Sequence, residues 1–355
     1  MTQPEPLASL DPQSLGVLPS NFPRPATSFV GRDVELRELA KELTQTRLLT
    51  LTGTGGAGKT RLALQLAAVT PERFKDGTWW LDLAPLSDPL RVAEALLGAM
   101  GLRTSVGLTQ MQVASAYLAG REALLLFDSC EHVLEEIAPI AATLLASCPR
   151  VTILATSRAP LGLAGETTWR VPSLSLPRAE PECRTVAALG QSEAVRLFVD
   201  RARKVRPDFA LRDETGPVVA RICRELDGIP LAVELAAARV RMLTVQQIAA
   251  GLGDRFSLLT GTVRTAPRHQ TLRASVEWSH DLLSTDERIL LRRLGVFAGG
   301  FTLEAVERVA GGDDLHDPDM LELLTSLVDK SLVIVEERGP VVRYRLLETL
   351  RHYAL

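Results

Sequence analysis

Gly53-Thr54-Gly55-Gly56-Ala57-Gly58-Lys59-Thr60 fills every constrained position of the phosphate-binding pattern GxxxxGK[ST]. It follows Leu48-Leu49-Thr50-Leu51-Thr52, an apolar run that reads as a buried strand. It precedes Arg61-Leu62-Ala63-Leu64-Gln65-Leu66-Ala67-Ala68, whose residue types and apolar repeat predict a helix. Strand, glycine loop and helix thus stand in the order that phosphate binding requires. Glycines let backbone N–H groups turn inward on an anion, and the positive end of the helix faces the same point. Lys59 adds a mobile cation for the β- and γ-phosphates, and the Thr60 hydroxyl is placed to hold one side of a Mg2+ shell. The residues from Gly53 to Thr60, with Arg61 directly after them, are the expected contacts to a nucleotide.

At 355 residues the chain exceeds what one core usually organises, so two or three domains are expected. Hydrophobic residues at 46% and charged residues at 23% describe an ordinary globular protein. A net charge of -3 gives no overall pull toward nucleic acid or anionic lipid. The cations are 35 Arg and 5 Lys, a bias that points to a GC-rich genome more than to forked phosphate contacts. Cys130, Cys148, Cys183 and Cys223 stand far apart, without a CxxC pair or a histidine at metal-ligand spacing, and read as buried reduced thiols. No apolar run approaches a membrane span, and the first residues lack a secretion signal, so a cytoplasmic protein with no membrane partner is expected.

Residues 1–28 carry six prolines and no hydrophobic period, which predicts a linker. Asp33 is placed to cap an amphipathic helix that follows Phe29-Val30-Gly31-Arg32. Beyond the glycine loop, strands are expected at 78–83, 123–127 and 151–155, with helices near 89–100, 109–119 and 131–146. Continuous apolar strands separated by helices imply an α/β fold, a parallel sheet covered on both faces. The reading is a P-loop nucleotide-binding domain over 29–170.

Ligands of such sheets bind beyond the carboxyl ends of the strands, which directs attention to Asp128, Glu131 and Arg158. Asp128 ends an aliphatic and aromatic run, where an acid can hold Mg2+ through water opposite Thr60. It equally fits the N-cap of the next helix, since Asp128-Ser129-Cys130-Glu131 matches a capping box. Glu131 could position an attacking water or serve only that cap, and His132 is a weaker candidate. Arg158, after the third of these strands, is either an exposed loop residue or a guanidinium near the γ-phosphate.

From about 171 the strand pattern stops. Pro172, Pro177 and Pro181 mark a connector, and helices are expected at 191–204, 213–226 and 231–241, with Gly228 ending one and Pro230 opening the next. This is an α-helical domain over 171–267. Helices near 272–281, 285–294, 302–309 and 318–330, then strands at 331–335 and 341–346 joined by Gly339-Pro340, predict a winged-helix domain over 268–355. Its candidate recognition helix carries Asp317, Asp319, Glu322 and Asp329 against Lys330, a poor phosphate partner, so direct DNA binding by this segment is not expected. The chain ends inside a helical stretch, Glu348 to Leu355, as a piece of a longer protein would.

Taken together, the motifs resemble the signal-transduction ATPases with numerous domains, the STAND class, and within it the NB-ARC-like bacterial regulators. The likeness covers residues 22–355. It rests on Phe29-Val30-Gly31-Arg32-Asp33-Val34-Glu35, the loop from Gly53 to Thr60, Leu125-Leu126-Phe127-Asp128, Thr156-Ser157-Arg158, Gly228-Ile229-Pro230-Leu231, and Ser275-Val276-Glu277-Trp278 through Phe297. The resemblance implies that Val30, Gly31 and Arg32 lie by the adenine and ribose, that Pro230 packs on the base, and that Arg158 reads the γ-phosphate. It implies a chain closed on ADP and opened by ATP, with partners or self-assembly supplied by further domains. Two positions depart from the family. Ser129 stands where many relatives have a second acid, and the MHD motif falls on Leu346-Leu347-Glu348, without its histidine. The expected function is a slowly hydrolysing ATP/ADP and Mg2+ switch in signal transduction or transcriptional regulation. A fast-turnover ATPase or small-molecule kinase is one alternative, and a DNA-binding regulator acting through the winged helix is another.

Overall fold

The computed structural model describes residues 20–23, 27–86, 88–104, 107–177, 185–254, 259, 272–310, 317–338 and 341–355. Strands β1 (Leu48–Thr52), β2 (Gly77–Asp82), β3 (Ala123–Asp128), β4 (Val151–Thr156) and β5 (Thr167–Arg170) form one parallel sheet in the order β2-β3-β4-β1-β5. Every residue of β1, β3 and β4 is buried, as continuous apolar runs require of strands covered on both faces. Side chains alternate across β3. Leu124 and Leu126 pack with α1 (Asp33–Gln45) and α2 (Lys59–Val69), whereas Leu125 and Phe127 pack with α3 (Val92–Ala99), α4 (Gln110–Leu118) and α5 (Leu134–Ser147). β5 was not legible in sequence. Its Thr167-Thr168-Trp169-Arg170 alternates half-buried and exposed residues on the sheet's edge and contains no apolar run.

The opposite edge, β2, is covered by part of the stretch read as a linker. Ser20 bridges Thr78, and the Asn21 side chain donates to the Trp80 carbonyl at 2.8 Å while accepting from the Trp80 N–H at 2.6 Å. Residues 1–19 and 24–26 lie outside the described residues, as do Pro181, Cys183, the 267/268 boundary and the Gly339-Pro340 turn.

The start of α1 corrects the expected cap. Arg32, with φ 69°, occupies the cap position, Asp33 is already helical, and no side chain caps this end. Helices α6 (Val186–Leu189), α7 (Glu193–Val205), α8 (Gly216–Glu225), α9 (Pro230–Ala238) and α10 (Val245–Gly251) follow the sheet. The short α6 and α10 leave too little periodicity to be read in advance. Next come α11 (Leu272–Asp281), α12 (Thr285–Leu294), α13 (Leu303–Ala310), α14 (Asp317–Asp329), the antiparallel pair β6 (Val333–Arg338) and β7 (Val341–Leu346), and α15 (Glu348–Ala354). One buried apolar cluster runs from Leu174 through Phe198, Leu235 and Leu290 to Leu350, so the helical and winged-helix parts share a core. The chain is thus a P-loop parallel sheet with helices on both faces, followed by helices and a winged helix. Among the described residues, no helix is long and apolar enough to cross a membrane.

Candidate functional site

Because β4 lies between β1 and β3, three loops converge at the carboxyl edge of the sheet. The first is the glycine loop. Gly56 and Gly58 take φ of 80° and 89°, conformations that glycine adopts without strain. α2 then starts at Lys59 with no side-chain cap and no acid in its first turn, leaving its positive end toward the loop. Lys59 Nζ donates to the Gly53 carbonyl at 2.7 Å and the Thr54 carbonyl at 3.2 Å.

The second and third loops bring Asp128 and Thr156 to the same place. The Thr60 hydroxyl donates to Asp128 Oδ1 at 2.7 Å, and the Thr156 hydroxyl donates to the same oxygen at 2.5 Å. Asp128 is 1% exposed and belongs to β3, so it does not cap the next helix. That corrects the capping-box alternative: a 3-10 turn over Cys130–His132 intervenes, and α5 begins at Leu134 without a side-chain cap. Ser129 carries the strain of this turn, with φ 66°.

Glu131 does not cap either. Its Oε1 lies 3.3 Å from Arg158 Nε, with both side chains under 10% exposed. Arg158 also donates to the Ser275 carbonyl of α11 at 3.5 Å, and its own carbonyl accepts from the Ser331 hydroxyl at 3.0 Å. Arg158 is therefore no exposed loop residue. His132 Nε2 donates to the Leu86 carbonyl at 3.2 Å and stacks edge-on against Trp278 of α11, with ring centroids 5.7 Å apart.

Of the remaining expected residues, Pro230 and Arg32 touch the same loop. Pro230 opens α9, its Cγ lies 3.8 Å from where a Cβ on Gly58 would be, and the Leu231 N–H donates to the Gly56 carbonyl at 3.2 Å. Val30 packs against the helical core, and Gly31 has φ 74°. The buried Arg32 side chain bonds the Pro172 carbonyl at 2.6 Å, the Ala57 carbonyl at 3.3 Å and Glu35 at 3.0 Å. Its guanidinium thus braces the loop backbone. Arg61 points away from the loop, to Glu234 and to the Thr27 and Ser28 carbonyls, and burial lowers its pKa against the opposing pull of Glu234. Leu347 lines a small cavity with Thr54, Gly55, Ile229 and Ser275, beside the glycine loop.

Two participants were missed in sequence. Thr156 is an ordinary strand residue until β4 is known to lie beside β3. Glu193, at the start of α7, accepts from the Arg32 N–H at 2.6 Å and the Ser175 N–H at 3.0 Å, tying the Val30-Gly31-Arg32 loop to the helical part. Burial pushes the Glu193 carboxyl up, but these donors outweigh it and hold it below the usual carboxylate value.

A family model described as a winged helix-turn-helix domain matches residues 283–355. An uncharacterized protein of Mycobacterium tuberculosis is 47% identical over 334 residues, which is 94% of this chain and 81% of that protein. The chain belongs to its family. A second M. tuberculosis protein, provisionally named an HTH-type transcriptional regulator, is 49% identical over 88% of the chain but 34% of its own length. The regulatory protein AfsR of Streptomyces griseus is 31% identical over 97% of the chain and 34% of its own length. The chain therefore spans about a third of these two regulators. Among solved structures, a Walker-type ATPase of Pyrococcus abyssi covers 93% of this chain and 98% of its own, with a TM-score of 0.56 at 14% identity, a likeness of fold.

Proposed function

We propose that the chain is the nucleotide switch of a transcriptional regulator, binding ATP or ADP with Mg2+ and hydrolysing ATP slowly. The observation that carries this is the convergence of Thr60 and Thr156 on one oxygen of Asp128, beside an uncapped helix start and a glycine loop. The donor chemistry fits the ligand. Backbone N–H groups of the loop and Lys59 would hold the phosphates, Thr60 and Asp128 the metal, Val30 to Arg32 and Pro230 the nucleoside, and Arg158 the γ-phosphate. Bound Mg2+ would supply charge neutralisation between the β- and γ-phosphates.

The domains at 29–170, 171–267 and 268–355 close on the nucleotide in this reading, as in the STAND class and its NB-ARC-like members. Further domains would bring protein partners or self-assembly. Water activation is weak, because Ser129 replaces a second acid and Glu131 is tied to Arg158. Turnover below about one per second is expected, at the slow end for enzymes. A steady rate well above that favours a motor ATPase or a small-molecule kinase. The deciding experiment is acid denaturation of the purified protein. Release of ADP at near one per chain supports a switch, and a chain that neither carries nor takes up nucleotide sinks the reading.

DNA contact through the winged helix is the second reading. The winged helix-turn-helix match and the regulator relatives favour it, against the expectation drawn from the acidic helix. The exposed face of α14 offers Leu321, Glu322, Thr325 and Asp329, none of them a cation. A DNA titration at several salt concentrations separates the readings, since phosphate contacts give a steep salt dependence.

A further inference from the structure

Helices α11, α12 and α15 meet around a cleft of about 450 Å³ that shares no residue with the nucleotide site. That volume suits a small organic molecule. Its walls carry Arg273 and His280 of α11, Leu291 and Arg292 of α12, and His352 and Tyr353 of α15, with no acidic side chain among the described residues. Two acids of these helices are already engaged: Glu277 pairs with Arg273 at 2.7 Å, and Glu348 with Arg351 at 2.7 Å and His352 at 3.2 Å. Asp281 is exposed and does not line the cleft. Arg288, one turn before Arg292, gives its guanidinium to two backbone carbonyls, His280 at 3.2 Å and Asp281 at 3.0 Å. Arg292 itself makes no side-chain hydrogen bond or ion pair among the described residues. A cationic wall therefore stands with one guanidinium uncommitted.

We propose that this cleft binds a small aromatic anion, a phosphate ester or carboxylate whose charge sits on Arg292 and His280 and whose ring packs on Tyr353. An uncommitted guanidinium offers an oxyanion charge-assisted bonds, about twice as strong as neutral ones. A neutral imidazole adds one N–H donor. The His280 ring makes no hydrogen bond among the described residues and stands edge-on to Tyr353, with centroids 5.5 Å apart and an interplanar angle of 64°. Two rings set this way offer a third ring both a face and an edge. The field in the cleft agrees with an anion. Burial and then Arg288 hold the His280 pKa below its usual value; Arg292 acts in the same direction, and Asp281 and Glu277 oppose them without prevailing. This site stands apart from the proposed nucleotide switch and does not depend on it.

Ring 1H–13C signals of His280 and His352 in the full chain test this, with phenyl phosphate and inorganic phosphate as probes and His280→Gln and His352→Gln giving the assignments. Phenyl phosphate should shift both signals saturably and bind at least about tenfold more tightly than inorganic phosphate. With it bound, the His280 titration should move to higher pH, since a neighbouring anion favours the imidazolium. Arg292→Gln should weaken phenyl phosphate at least about tenfold yet melt near wild type, because this exposed side chain holds nothing in the fold. Arg292→Lys keeps the charge without the fork, and its affinity should fall between the two. No saturable shift up to about 20 mM phenyl phosphate, equal affinity for both probes, or a shift that Arg292→Gln leaves at full strength overturns the site. A shift that Lys59→Ala abolishes places the probe in the glycine loop and overturns it as well.

Discussion

The Thr156 hydroxyl donates to Asp128 at 2.5 Å inside the sheet, from a strand that separates Asp128 from the glycine loop. The same hydroxyl accepts from the Ser129 N–H at 2.9 Å, so one threonine fixes both the acid and the strained turn after it. Thr156→Val keeps the shape and removes both bonds. Leaving a buried carboxylate and N–H short of partners should cost about 1–3 kcal/mol in urea unfolding. A variant as stable as wild type would mean that Asp128 needs no such support.

Lys59 should matter for ligand rather than for fold. Its ammonium sits on the Gly53 and Thr54 carbonyls at the loop surface. A nucleotide at about a hundred times its dissociation constant stabilises by roughly 2.7 kcal/mol. Lys59→Ala should lose most of the melting shift given by MgADP or MgATP while melting near wild type without ligand. An undiminished shift would place the nucleotide elsewhere.

Leu347 lines the cavity beside Thr54 and Gly55 and is 2% exposed. Leu347→His could add one charge-assisted bond to a phosphate, about 1.5–3 kcal/mol when well formed. ADP should bind more tightly to the variant at pH 6.5, where an imidazole is partly protonated, with a smaller gain at pH 8. Calorimetric titration at both pH values checks this. No gain at either pH would separate residue 347 from the phosphates.

Glu287 gives the winged helix an acid limit. It caps α12 through the Ser284 N–H at 2.6 Å and accepts from Lys330 and Ser326 of the α14 end. Burial pushes its carboxyl up, yet these donors together hold it below the ordinary value. A folded-state value below the unfolded one, about 4.3, means that this stabilisation is present above that pH and is lost as pH falls through the folded value. The gap in urea midpoint between wild type and Glu287→Gln should be widest near pH 7 and shrink below about pH 4. A gap independent of pH would show that the carboxylate's charge is not involved.

Cys130 and Cys223 should be inert in the folded chain. Both are fully buried; burial, with Glu131 and Asp128 nearby, raises the Cys130 thiol well above its usual value, and burial pushes Cys223 up to about 12. The thiolate is the reactive form, so iodoacetamide at pH 8 should label neither until urea unfolds the protein. Labelling of native Cys130 would reveal an opening of the turn after Asp128.

The glycine loop and the sheet that presents it were legible because each rests on a local pattern. Lys59 and Thr60 follow from a motif, and Asp128 from an acid at the end of an apolar run. The helices of the winged part appeared at nearly their true bounds because their apolar periods are regular. The roles of Thr156 and Glu193 were not legible, since they depend on which strand lies beside which and on where separate parts of the chain meet. Arg61 was expected among the nucleotide contacts, and Glu234 and two carbonyls hold its side chain away from the loop, which only the packing of separate parts of the chain reveals.

Asn21 satisfies both backbone groups of Trp80 with one side-chain amide, so the outer strand of the sheet is closed by a segment that looks dispensable in sequence. A truncation beginning at residue 29 would leave that N–H and C=O exposed on the edge strand beside Trp80. Such an edge is a template for strand addition between molecules. The shortened protein should therefore self-associate with concentration where the longer one does not, and Asn21→Ala should reproduce the tendency in milder form.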